Sequence, residues 1–173
     1  MIRKTAHKPT PHALQSKSGR LNKGGSTVLL KKGKQPTVSA LKKKCWAVFS
    51  LYIRMRDCLK TTGCKDWGLC ITCGKRYHIK LLQSGHFISG RHNANLFSEK
   101  GVHAQCYNCN INLRGNPLEY RRQIIKMYGE GTDLELEEEA RQIKKFLPRD
   151  LTNLIECYKI KIKDMEAYDG NLG

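Results

Sequence analysis

A chain of 173 residues and 19.8 kDa has room for one domain plus extensions, and its net charge of +17 is unevenly distributed. Residues 1–56 contain fourteen Lys and Arg and no acidic residue, whereas eighteen basic and fifteen acidic residues follow from Asp57 onward. No apolar run is long enough to span a bilayer and no signal-peptide core is found, so we expect no membrane association and a reducing, cytoplasmic setting.

Residues 1–38 are predicted to form a disordered basic arm. Lys, Gly, Ser, Thr and Pro dominate this segment, and it has too little apolar surface to offset the entropy lost on ordering. The exclusion of every acidic side chain is typical of a segment that displaces counterions from a nucleic-acid backbone. A solubilising tail is the alternative, and the lack of an amphipathic stripe disfavours membrane binding.

Residues 39–62 are predicted to form an amphipathic helix with Ser39 as its N-cap, because apolar side chains recur there at spacings of three and four. The helix is expected to end before Gly63. Its other face carries Lys42, Lys43, Arg54 and Arg56, which either contact phosphates or form a solvated surface.

Residues 63–116 contain two Cys-x-x-Cys pairs, Cys70 with Cys73 and Cys106 with Cys109, on either side of a 32-residue insert. Two such pairs supply the four thiolates of a tetrahedral zinc site. All four ligand positions are then filled, so the zinc is structural and any chemistry must come from other residues. Disulfides or redox pairs are the alternative, disfavoured in a reducing compartment. The remaining cysteines are interpreted as ordinary thiols, with Cys64 kept as an outside candidate ligand: Cys45, Cys58, Cys64 and Cys157.

The insert between the two cysteine pairs is predicted to form two β-strands joined by an irregular loop. An apolar run leads to His86, which falls on the first strand, and the second strand leads into Cys106. From Cys109 the chain is expected to turn into a helix, with Asn110 in its first turn.

Residues 117–173 are predicted to form three helices. Their apolar stripes are expected either to cover the small zinc core or to pair with a second subunit in a homodimer. The predicted helices run from Pro117 to Tyr128, from Asp133 as N-cap through Phe146, and onward from Pro148.

Four segments, at residues 46–57, 85–88, 105–110 and 115–121, carry a family resemblance that covers about residues 40–165. They resemble the NinG (Rap) proteins of lambdoid phages. The paired cysteines around a strand histidine, followed directly by Asn, resemble HNH, or ββα-metal, endonucleases. The resemblance implies an α+β fold with a zinc-braced ββα-metal core between an N-terminal helix and C-terminal helices. It also implies a structure-specific endonuclease that cuts branched recombination intermediates, Holliday junctions and D-loops, in the host cytoplasm alongside recombination proteins.

The same resemblance assigns the candidate catalytic residues. His86 takes the position of the general base, a role that suits an imidazole with a pKa near 6.5. Asn110 takes the position of a ligand of the catalytic Mg²⁺ or Mn²⁺, for which a neutral carbonyl oxygen is suitable.

Two positions depart from the pattern. Many HNH nucleases have an Asp before the catalytic histidine as a second metal ligand, and here that residue is Gly85. Close relatives carry an Asn where this chain has Gly101, so either Asn93 or Asn95 takes over its orienting role or that role is lost. Candidates to complete the cation shell are His103, Glu99 and Asn95.

Basic residues near the proposed site are expected to hold DNA phosphates without reading sequence. Two alternatives to a nuclease stay open: a non-catalytic zinc module that binds DNA or RNA, and an RNA-associated zinc ribbon. The expected DNA contacts are Arg91, Arg114, Arg121 and Arg122, together with Lys42, Lys43 and Arg54 on the first helix.

Overall fold

The first long helix is α1, Val38–Thr62, in a computed structural model that describes residues 35–90 and 92–167. Thr37, not the predicted Ser39, is its N-cap: Thr37 has an extended backbone, and its hydroxyl accepts a hydrogen bond from the Ala40 N–H at 3.2 Å. Ser39 already lies within the helix, and so does Val38, which was assigned to the predicted basic arm; residues 1–34 of that arm lie outside the described residues. At the other end Gly63 adopts φ 68°, the left-handed conformation that commonly ends a helix.

Two small antiparallel sheets follow α1. The strands are β1 (Trp67–Leu69), β2 (Arg76–His78), β3 (Leu82–His86) and β4 (Val102–Cys106), paired β1 with β2 and β3 with β4. In the second sheet Gln83 lies opposite Gln105, and His86 lies opposite Val102. Because side chains alternate along a strand, Gln83, Gly85 and Gln105 share one face of this sheet, and His86 lies on the other.

A five-residue π-helical turn and three helices complete the described chain. They are the turn Asn108–Asn112, α2 (Pro117–Tyr128), α3 (Thr132–Arg141) and α4 (Pro148–Ala167). Asp133 does not cap α3 as predicted. Gly131 occupies that position at φ 86°, and the Asp133 carboxylate binds Arg121 instead. The helix also ends at Arg141, earlier than predicted, because Gln142 is extended.

The largest part of the core lies between α1, α4 and β4. Phe49 and Ile53 of α1 are fully buried against Val102 of β4 and against Tyr158 and Ile162 of α4. The apolar stripe of the last helix is therefore buried within this chain. None of the helices in the described ranges has the length and apolar character needed to cross a membrane. The architecture is α+β, with helices packed on small antiparallel sheets.

A buried group of charges ties α1 to β4. Arg56 donates to the Val102 carbonyl at 3.0 Å, and Asp57 accepts from the Ala104 N–H at 2.7 Å and contacts His103 at 3.1 Å. Burial alone raises the pKa of Asp57, but the hydrogen bond and charge of His103 and the charge of Arg56 outweigh it and hold the pKa below its usual value. This pairing fixes the position of β4 relative to the helix. It also buries Arg56, which was predicted to lie on the solvated or phosphate-contacting face of α1.

Candidate metal centre and adjoining cavity

Four cysteine sulfurs meet in one cluster between the two sheets. The Sγ atoms of Cys70, Cys73, Cys106 and Cys109 all lie within 4.8 Å of one another, and Cys73 and Cys106 are separated by 3.9 Å. Four thiolates at 2.3 Å from a tetrahedral zinc would be about 3.8 Å apart. The cluster can therefore hold a metal ion with little rearrangement, and an all-thiolate donor set suits zinc.

Local backbone geometry presents these thiols. The Gly74 N–H donates to the Cys70 carbonyl at 2.9 Å, and Gly74 adopts φ 66°, which a glycine accommodates without strain. This closes the first knuckle into a tight turn. Cys106 ends β4 and Cys109 lies in the π-helical turn, where its carbonyl accepts from the Gly115 N–H at 2.9 Å.

The thiols are electrostatically unequal. Burial opposes ionisation of Cys70, but the Thr72 hydroxyl and nearby backbone N–H groups donate to its sulfur and lower its pKa to about 7. Burial, together with the neighbouring Cys106 and Cys70 sulfurs, raises the pKa of Cys109 to about 12. Thiolates this close together repel one another, so a cation is needed to keep all four ionised.

His86, the last residue of β3, has its ring fixed on two sides. Its Nε2 lies 3.3 Å from the Leu96 carbonyl oxygen, and its ring stacks on Trp46 with centroids 5.1 Å apart and planes 15° apart. A carbonyl oxygen only accepts hydrogen bonds, so Nε2 carries the proton. In the neutral ring the lone pair is then on Nδ1.

Asn110 lies in the π-helical turn and shares a cavity with His86. Its Nδ2 donates to Gln83 Oε1 at 2.7 Å. Both residues line a cavity of about 270 Å³ whose wall also contains Arg114. A neighbouring cavity of about 340 Å³ is lined by Asn110 and by Arg54 of α1. The structure thus brings together four of the residues singled out in the sequence.

The other basic residues proposed to contact DNA are placed differently. Arg121 forms ion pairs with Asp133 and Glu137 of α3, and Arg122 pairs with Glu119 at 3.0 Å. Neither arginine is among the described residues that line the two cavities. Lys42 donates to Asn93 Oδ1, Lys43 is exposed on α1, and Arg91 lies outside the described residues.

Of the three residues proposed to complete a cation shell, His103 and Glu99 are bonded to other groups, whereas the Oδ1 of Asn95 is buried without a partner among the described residues. The ring nitrogens of His103 contact Asp57, the Lys100 carbonyl and the Tyr128 hydroxyl. Glu99 accepts from Tyr52 and Lys161, and Asn95 donates to the Ile88 carbonyl. None of the three is among the residues lining the cavity that contains His86 and Asn110.

Gly85 has a steric reason to lack a side chain. A Cβ built there lies 2.0 Å from Gln105 Oε1 and 3.0 Å from Asn110 Oδ1, so any larger residue would collide with the Gln105 amide. Gln105 was not singled out in the sequence, because a single amide has no characteristic spacing. Two features of the sequence could have pointed to Gln105: it directly precedes Cys106, and it lies two residues after His103, on the same face of the strand.

The fold and the cysteine cluster define a small α+β protein with a four-thiol centre that can hold a metal ion. The family described as Bacteriophage Lambda NinG protein matches residues 2–168, nearly the whole chain. The chain therefore belongs to the NinG family of phage proteins. No curated protein and no solved structure matches it significantly.

Proposed function

We propose that the protein is a metal-dependent endonuclease that hydrolyses phosphodiester bonds in branched DNA, such as Holliday junctions and D-loops, in the host cytoplasm. The observation that carries the proposal is the shared cavity of His86 and Asn110, next to the four-cysteine cluster. In this proposal the cysteines hold a structural zinc, and β3, β4 and the chain that follows form a ββα-metal core. The preference for branched DNA rests on the family resemblance.

The proposed chemistry requires a base that removes a proton from water. His86 is suited to it because Nε2 donates to the Leu96 carbonyl, which directs the lone pair to Nδ1. The stacked indole of Trp46 restricts the plane of the ring. Both contacts are made by the protein itself, so the imidazole is oriented before DNA binds.

Asn110 is the proposed ligand of a catalytic Mg²⁺ or Mn²⁺. Its Nδ2 is bound to Gln83, which orients the amide and leaves the carbonyl oxygen beside the Cβ-free position of Gly85. A neutral oxygen of this kind suits a hard divalent cation. When bound, the cation would stabilise the charge that develops on the phosphate and the leaving oxygen. Arg114 and Arg54 are placed to hold flanking phosphates.

The test is incubation of the purified zinc-loaded protein with labelled four-way and linear DNA. We expect nicking with Mg²⁺, no nicking with EDTA, and faster cleavage of the four-way substrate. His86→Ala should lower the rate by about 10²–10⁴-fold, the usual contribution of a general base. His78→Ala is the matched control, because His78 lies on β2, outside the residues that line the two cavities. Tight DNA binding without metal-dependent nicking by the wild type would overturn the proposal.

A non-catalytic zinc protein that binds nucleic acid is the second candidate. The specific observation in its favour is Gly85, which supplies no carboxylate to a cation. This candidate predicts that the wild type and His86→Ala bind DNA equally and that neither cuts it. If RNA competes for the protein far better than DNA does, an RNA-associated role is favoured.

A further inference from the structure

The side-chain oxygen of Gln105 is buried without a hydrogen-bond partner. Gln105 lies on β4 with 0 % exposure, and its Oε1 is one of two buried side-chain atoms without a partner among the described residues. Leaving such an acceptor unsatisfied costs about 1–3 kcal/mol. A buried polar atom of this kind in a native fold therefore calls for a ligand or a compensating role.

The orientation of this amide is fixed by its nitrogen. Gln105 Nε2 donates to the Gly115 carbonyl at 2.9 Å and to Thr72 Oγ1 at 3.3 Å. The Gly115 carbonyl only accepts hydrogen bonds, so exchanging the nitrogen and oxygen of the amide would place two oxygens together. Oε1 must therefore point the other way, toward β3.

The Gln105 oxygen, which comes from β4, lies against Gly85 of β3. The Cβ position of Gly85 is 2.0 Å from Gln105 Oε1 and 3.0 Å from Asn110 Oδ1, so these two oxygens lie within about 5 Å of each other. Two oxygens bound to one cation at 2.0–2.6 Å are about 3–5 Å apart. Gln105 is buried and does not line the cavity of His86 and Asn110, so it is the spacing of the two oxygens that is compatible with one shared divalent cation.

We propose that Gln105 Oε1 is a ligand of the catalytic cation together with Asn110 Oδ1. The inference deepens the proposed nuclease function and rests on it. Gln105 then supplies, from the neighbouring strand, the oxygen that many HNH nucleases supply from a carboxylate before the histidine. Gly85 is required because the Gln105 amide occupies the space that a side chain there would fill. Both protein ligands are neutral, so we expect the protein alone to bind Mn²⁺ weakly and the DNA phosphate to strengthen that binding.

The first experiment measures Mn²⁺ binding directly, by the electron paramagnetic resonance signal of free Mn²⁺ titrated with zinc-loaded full-length protein. Gln105→Ala and Asn110→Ala should each weaken Mn²⁺ binding at least tenfold while retaining one zinc per chain. Gln105→Met is the second variant, since it keeps the volume of the side chain but lacks the oxygen. Ser98→Ala is the matched control, because it removes a partly buried hydrogen bond, to Glu139, away from this cavity. Wild-type Mn²⁺ affinity in both Gln105 variants would overturn the inference.

The second experiment places a cation-binding oxygen on β3, at position 85, and removes the Gln105 oxygen of β4. Gly85→Asp alone should destabilise the protein, because the new side chain collides with the Gln105 amide. Combined with Gln105→Ala, the Asp has room, and the double variant should bind Mn²⁺ at least tenfold more tightly than Gln105→Ala. No gain in the double variant would show that no cation binds between the Asn110 oxygen and this position, which would overturn the inference.

The two proposals fail separately. If Mn²⁺ binding depends on Gln105 but the wild type cuts no DNA, the cation site stands and the nuclease function is wrong. If the wild type cuts DNA and the Gln105 variants bind Mn²⁺ normally, the nuclease function stands and Gln105 is not a ligand.

Discussion

Trp46 and the Leu96 carbonyl hold the imidazole of His86 from two directions. One contact sets the plane of the ring and the other sets which nitrogen carries the proton. A general base works only if its lone pair is aimed at the water that it activates. The stacked indole of Trp46 is therefore expected to contribute to the reaction although it transfers no proton itself.

Replacing Trp46 by Ala should lower the rate of DNA nicking about tenfold. A stacked aromatic pair contributes about 0.5–1.5 kcal/mol beyond its buried area, and losing it lets the His86 ring rotate. The measurement is the single-turnover nicking rate at saturating DNA, at a temperature where circular dichroism shows a folded protein. Trp46→Phe keeps a stacking partner and should retain most of the rate. An unchanged rate in Trp46→Ala would show that the stack does not position the base.

The helix α1 and the strand β4 are joined by hydrogen bonds from a buried ion pair of α1 as well as by apolar contacts. Arg56 and Asp57 of α1 are almost fully buried and bind backbone groups of β4. Removal of either partner would leave the other charge buried without compensation, so the fold depends on both residues being in place. The second cysteine pair begins at the end of β4, so this contact also positions the metal centre.

Asp57→Asn should lower the free energy of unfolding by about 3–5 kcal/mol, because Arg56 is left buried without its counter-charge. Urea unfolding of the zinc-loaded protein measures this loss of stability. As a control, Asp164→Asn on the exposed side of α4 should change stability by less than about 0.5 kcal/mol.

The folded pKa of Asp57 is lowered, so its stabilisation is present above its unfolded pKa of about 3.9. It is lost only as the pH falls below that value toward the folded pKa. Equal stability of Asp57→Asn and the wild type at pH 7 would contradict this role.

The two cysteine knuckles connect β1–β2 to β3–β4. Cys106→Ser should reduce the zinc content from one per chain to nearly none and unfold both sheets. A structural zinc contributes about 10–16 kcal/mol of apparent binding free energy, comparable with the entire stability of about 5–15 kcal/mol of a typical domain. Elemental analysis and circular dichroism provide the measurements. Cys157→Ser is the control, since that exposed thiol is outside the cluster. Full zinc content in Cys106→Ser would show that the cluster is not the metal centre.

At the scale of the whole molecule, the charge is asymmetric. Residues 1–34 alone contain nine Lys and Arg and no acidic residue, whereas the chain from Asp57 onward is nearly balanced. Affinity for a polyanion and recognition of its shape are therefore expected to reside in different parts of the chain. The affinity should respond strongly to salt concentration, and the recognition of shape should not.

Deletion of residues 2–34 should weaken DNA binding and reduce its salt dependence. Each phosphate neutralised contributes about 0.9 to the slope of log Kobs against log salt, so the slope should fall in magnitude by about 3–6. Fluorescence anisotropy from 50 to 300 mM salt measures it. An arm with the same residues in shuffled order should retain the slope, because the interaction is electrostatic. The ratio of four-way to linear affinity should persist after the deletion. An unchanged slope would identify the arm as a solubilising tail.

Much of the local structure was predictable from short-range patterns. The three-and-four spacing of apolar residues predicted a helix where α1 lies, and a strand containing His86 was predicted where β3 lies. The spacing of the cysteines predicted a cluster of four thiols. Helix ends were less predictable: Thr37 caps α1, and Gly131 precedes α3. Several nearby residues are suitable as caps, and only the backbone conformation distinguishes them.

The sequence by itself determined the cysteine cluster, the charge asymmetry and the membership of the NinG family, because each depends on residue type and spacing along the chain. Only the tertiary structure decided which distant side chains meet. It paired Asp57 with His103, forty-six residues away, and placed the Gln105 oxygen against Gly85 of the neighbouring strand. Such contacts depend on strand register and helix packing, which no local pattern encodes. The physical reason for a glycine before His86 therefore became visible only when β3 and β4 were paired.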